Sequence, residues 1–83
     1  MDFYQPISCV FYDYIEHYAV LRKAVDIVYK DEEGKKQTVN SKILDTQNTG
    51  TAEYVLLKSL NEPLRMDRII SIDGIQLKDF QVC

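Results

Sequence analysis

The chain has no tryptophan, one histidine, two cysteines, two prolines and three glycines in 83 residues. Each scarcity excludes something. With no CxxC pair and no Cys/His cluster, a structural zinc site is not expected. So few prolines and glycines do not make a collagen-like or low-complexity chain. No apolar run approaches the length of about 20 residues that a spanning helix needs. No GxSxG, P-loop or GxGxxG occurs, so the commonest nucleophile and phosphate-cradling motifs are missing. The opening MDFYQP has neither a basic n-region nor an apolar h-region, which argues against a secretory signal. A cytoplasmic protein with reduced thiols is the expectation, although spacing alone leaves a Cys9–Cys83 bridge open.

One further absence is local. Residues 1–20 hold Asp2, Asp13 and Glu16 but no lysine or arginine. The other ten acids and all ten bases lie in residues 21–83, so the whole net charge of −3 sits in the first quarter of the chain. An acidic end suits a basic partner and repels phosphate backbones.

What is present reads as one small domain, 1–83, that is 46% hydrophobic and 28% charged. Pro6 biases Gln5 to extended backbone. Ser8 is a fitting N-cap for a helix over about 9–19. Phe11 stands where a capping box would have glutamate, and Ile7 with Tyr12 can form a hydrophobic staple instead. Phe11, Ile15, Tyr18 and Ala19 form its core stripe, leaving Tyr12, Asp13 and Glu16 facing outward.

The period then shortens. Leu21, Val25, Ile27 and Tyr29 alternate as in a strand. DEEGKK around Gly34 reads as a hairpin turn, and QTVNSKIL as the returning strand. DTQNTGT, residues 45–51, reads as a polar loop. AEYVLLKSL is the most apolar strand and the expected central one. In LRMDRIISID the apolar phase slips near Asp67–Arg68, which predicts a bend or bulge. Asp73-Gly74 marks a turn before a last short strand in IQLKDFQV. A helix followed by about five closely spaced strands predicts a mainly β fold, a small antiparallel barrel or sandwich.

The chemistry is sparse. Asp13, Glu16 and His17 share a helical face at ligand-like spacing, but a solvated face is the simpler reading. Cys9 lies at a helix N-terminus, where a thiol can be activated. Its only imidazole, His17, is more than two turns away on the same helix. Neither an enzyme nor a cofactor is expected. Exposed aromatics and bases (Tyr29, Tyr54, Lys23, Lys30, Lys42, Lys58, Arg65, Arg68) are raw material for a small barrel that binds single-stranded RNA. The bases are matched by acids there and no RNP-type motif appears, so direct nucleic-acid binding is not expected.

The stretch YQPISCVFYDYIE, residues 4–16, resembles the opening of the Rho-binding antiterminator family, Rof. The turn at Gly34, AEYVLL at 52–57 and LRMDRIISI at 64–72 extend the resemblance to residues 4–73. It implies a Sm-like barrel preceded by a helix. It further implies a cofactor-free inhibitor of the transcription termination factor Rho. Such an inhibitor docks on Rho's N-terminal RNA-binding domain and keeps transcripts off that hexameric helicase. Carried over by motif, Tyr12, Asp13 and Glu16 would face Rho. Gln47 and Asn48, in a loop that also touches Rho in the family, would add contacts. Family members often carry an acidic residue just after the motif cysteine; here Val10 and Phe11 stand there. A monomer that touches no membrane is expected. The alternative is a Sm-like module that binds single-stranded RNA itself.

Overall fold

The structure is a computed structural model that describes Tyr4, Gln5 and residues 7–79. Among the described residues one α-helix, α1 (Cys9–Leu21), precedes seven short strands. They are β1 (Val25–Lys30), β2 (Lys36–Ser41), β3 (Ile43–Asn48), β4 (Glu53–Leu57), β5 (Leu64–Arg65), β6 (Ile69–Ile72) and β7 (Ile75–Gln76). All pairings are antiparallel, in two sheets ordered β2-β1-β6-β7 and β3-β4-β5.

The chain crosses between the sheets twice. Only Lys42 separates β2 from β3, and a single 3-10 turn, Met66–Arg68, separates β5 from β6. The bend expected near Asp67–Arg68 is therefore this turn, not a bulge within one strand. The bulges lie elsewhere, at Val28/Tyr29 against β6 and at Ile43/Asp45 against β4. Among the described residues the two sheets form a sandwich.

The core lies between the sheets and under α1. Phe11, Ile15, Ile27, Val55 and Met66 are wholly buried, and Ile43, Ile69 and Ile72 nearly so. Truncating such a side chain, for example Phe11→Ala, costs about 3–5 kcal/mol. The β4 strand is central in its sheet, as its apolar run predicts.

The loop expected over 45–51 is shorter. Asp45–Asn48 complete β3, and only residues 49–52 leave the strands. Thr46 pairs with buried Val55, whereas Asp45 and Gln47 point to the opposite face. A strand with one face in water needs no apolar alternation there. At the other end, β7 is only two residues and passes into a 3-10 turn at Leu77–Asp79. The rest of that expected strand lies outside the described residues, as does Cys83. Cys9 is disulfide-bonded. The expectation of reduced thiols rested on compartment, not geometry, and does not hold for it.

Candidate functional site

The helix starts as its sequence demands. Ser8 Oγ accepts a hydrogen bond from the Val10 amide at 3.1 Å, which satisfies one orphan donor of the first turn. At the far end Arg22 turns left-handed, and its N–H reaches the Tyr18 carbonyl. Phe11 and Ile15 are buried, with Tyr12, Tyr18 and Ala19 packed beside them on the core. Tyr18 also donates its hydroxyl to Asp73 Oδ2 at 3.1 Å, tying the helix to the β6–β7 turn. Partial burial, helped by that carboxylate, holds the Tyr18 hydroxyl above its ordinary pKa.

That packing leaves a distinct outer face. Val10, Asp13, Tyr14 and His17 line a hollow of about 370 Å³ on the helix surface. Glu16 is exposed beside them. Val10 and Leu21 are each 52% exposed and Val20 80%. Four of the five large hydrophobic side chains exposed among the described residues therefore lie on this one helix. This concentration of exposed apolar side chains makes the outer face of α1 the candidate contact surface.

The expected partner-binding residues do not all join this face. Asp13 and Glu16 do. Tyr12 does not point outward: it is half-buried against the core, with its hydroxyl donating weakly to Thr46 Oγ1 at 3.4 Å. Helical phase sets it nearer Ala19 than Asp13. Gln47 is exposed on the side of β3 away from Thr46. Asn48 caps the next turn, its Oδ1 accepting from the Gly50 amide at 2.8 Å. Asp13 is also the fifth residue of the helix, beyond the first turn, where the macrodipole would reward it.

Two clusters bring together residues that no local sequence pattern connects. In the first, Tyr4 donates to Glu53 Oε1 at 3.1 Å, and the Arg65 guanidinium stacks 5.8 Å from the Tyr4 ring centre. Arg65 grips Asp67 through two hydrogen bonds, and Asp67 Oδ2 also accepts from the Gln5 amide. Burial, reinforced by the Glu53 carboxylate, pushes the Tyr4 hydroxyl well above its ordinary pKa. This cluster clamps the lead-in residues Tyr4 and Gln5 to β4, β5 and the turn after it. Only the spacing Arg65-x-Asp67 hints at it in the sequence.

In the second, Arg22, Lys42 and Lys58 line a groove of about 490 Å³ together with buried Ile43 and exposed Leu44. The Lys58 amide donates to the Lys42 carbonyl at 3.0 Å, and the Ser59 amide to buried Ser41 Oγ at 3.0 Å. These bonds pin the turn after β4 to the β2–β3 bend and set the two lysines side by side. A third hollow, near the β1–β2 turn, sets Lys30, Lys35 and Arg68 among Asp31, Glu32, Glu33 and Glu62. Acids outnumber bases there.

Among the described residues no three His, Cys, Asp or Glu side chains gather as a metal site would require. None of their helices is long and apolar enough to cross a membrane. Compared with protein-family models, with curated proteins and with solved structures, the chain finds no match.

Proposed function

We propose that this protein inhibits the transcription termination factor Rho by docking the outer face of α1 on Rho's RNA-binding domain and keeping transcripts from loading. The observation that carries the reading is the helix face itself. It offers Asp13, Glu16 and apolar Val10 and Tyr14, and α1 contains no lysine or arginine to pair them internally. Carboxylates beside an aromatic ring and aliphatic surface suit a basic protein groove that normally holds phosphate. The resemblance over residues 4–73 names that groove as Rho's. Our reading keeps Asp13 and Glu16 as contacts, adds Val10, Tyr14 and His17 beside them, and takes Tyr12, packed on the core, as a support for the helix. Gln47 and Asn48 fall to the margin.

The test is competition. Rho is loaded with a fluorescent cytidine-rich oligonucleotide, and the protein is titrated in while anisotropy is followed. A fall at stoichiometric concentration, with no binding to the free oligonucleotide, is expected. The second reading, an RNA-binding module, draws on the three cations of the Arg22–Lys42–Lys58 groove. It predicts direct retention of the oligonucleotide, weakening steeply with salt. That result would displace the Rho reading.

A further inference from the structure

The basic groove and the acidic helix face are complementary in both charge and relief. Arg22, Lys42 and Lys58 are exposed, and none forms an ion pair among the described residues. No carboxylate lines their groove. The nearest one in sequence, Asp45, is turned onto its own strand, accepting from the Thr46 amide at 2.8 Å. The bulge between Ile43 and Asp45 lifts Leu44 out of the ladder, and its side chain stands 59% exposed on the groove. The groove offers no aromatic ring on which a nucleic-acid base would stack. What fits is acidic protein surface with an apolar hollow for Leu44. Such a surface exists on this chain: Val10, Asp13, Tyr14 and His17 line a shallow hollow with Glu16 at its side.

We infer that the groove receives the outer face of α1 from a second copy, with Leu44 seated between Val10 and Tyr14 and Lys42 and Lys58 facing Asp13 and Glu16. The two patches are different, so the contact is head-to-tail and does not close on itself. Association lengthens with concentration and loosens with salt. Each contact covers one copy of the face assigned above to Rho, so self-association would lower the free inhibitor when the protein is abundant. The contact itself needs no Rho, and it stands or falls separately from the Rho reading.

Sedimentation equilibrium of the full chain, from micromolar to millimolar concentration and without Rho, tests it. The wild type is expected to gain weight-average mass with concentration and to lose that gain at high salt. Two variants, Asp13→Asn/Glu16→Gln and Lys42→Met/Lys58→Met, each neutralise one patch and keep the other. Each alone should remain monomeric, whereas an equimolar mixture should stop at a heterodimer through the one intact pairing. Circular dichroism confirms that both variants are folded. Wild type that stays monomeric throughout, or a mixture that fails to pair, would overturn the inference. So would oligonucleotide-induced amide shifts at Lys42 and Lys58 in a monomeric wild type, which would assign the groove to nucleic acid.

Discussion

Arg65 holds Asp67 in a two-pronged grip, Nε to Oδ1 at 2.8 Å and Nη2 to Oδ2 at 2.6 Å, with side chains only 14% and 7% exposed. The pair spans the start of the 3-10 turn where the chain leaves one sheet for the other. Asp67 also takes the Gln5 amide, and Arg65 lies against Tyr4. Two residues thus join the sheet crossover to the segment that leads into α1. Helix α1 is positioned from its N-terminal side by this clamp and from its C-terminal side by the Tyr18–Asp73 bond.

Breaking that grip should be costly. Arg65→Ala leaves a carboxylate nearly buried without its cation, a change that typically costs about 3–5 kcal/mol. Against a total stability of about 5–15 kcal/mol for a small domain, that is a large fraction. Urea titration should show a lower midpoint with an unchanged slope. Arg65→Met, which keeps much of the length, should fare no better unless Asp67 is replaced as well. A paired Arg65→Met/Asp67→Leu variant that is as unstable as Arg65→Ala would mean the ion pair is not what the site requires.

The β1–β2 turn is organised by one carboxylate. Asp31 Oδ1 accepts from the Glu33 and Lys35 amides, both at 2.9 Å, and Oδ2 accepts from Gln37 Nε2 at 3.0 Å. The Lys35 amide above all, then Gln37, lowers its pKa below the ordinary value of 3.8. A carboxylate held below its unfolded value stabilises the turn above that value, and the benefit drains away as pH falls through the lowered one. The Lys35 and Glu33 amide resonances should therefore move together as the solution is taken below about pH 4. In Asp31→Asn that acid-range movement should vanish; if it persists, another group organises the turn.

The β6–β7 hairpin depends on backbone handedness. Its two-residue loop places both Asp73 and Gly74 at positive φ, 52° and 81°, as a primed turn demands. A Cβ on Gly74 would meet no atom within 4 Å, so strain alone sets the effect of replacing it. Gly74→Ala should cost about 1–2 kcal/mol. The loss should appear as faster amide exchange in β6 and β7, with little change in β4.

Much of this architecture is legible in the residues. Ser8 before a helical stripe of Phe11 and Ile15 gives the helix, and Asp73-Gly74 gives the last turn. The apolar run at 53–57 gives the central strand. Other features depend on pairing that sequence does not display. Asp45–Asn48 looks like loop because half of its strand faces water. Tyr12 looks exposed because its neighbour Asp13 is, and only β3 packing under the helix draws the ring inward. Tyr29 and Arg65 resemble RNA-contacting residues by type, yet Arg65 is committed to Asp67. The basic groove unites residues from three separate turns, Arg22, Lys42 and Lys58, and no local pattern connects them.

The helix face offers the sharpest functional separation. Asp13→Arg and Glu16→Arg change exposed side chains, so the melting temperature should shift little. Against a basic groove, each reversal exchanges attraction for repulsion, and truncating a buried charge pair in an interface already costs about 2–5 kcal/mol. Competition for Rho-bound oligonucleotide should therefore weaken by about 30-fold or more, since each 1.4 kcal/mol is tenfold. Tyr12→Phe is the control. It removes only the hydroxyl that touches Thr46 at 3.4 Å, which lies on the helix's inner side. Its competition curve should overlay the wild type. If Tyr12→Phe loses activity while Asp13→Arg and Glu16→Arg keep it, the partner meets the junction of α1 with β3, and the outer face serves another contact.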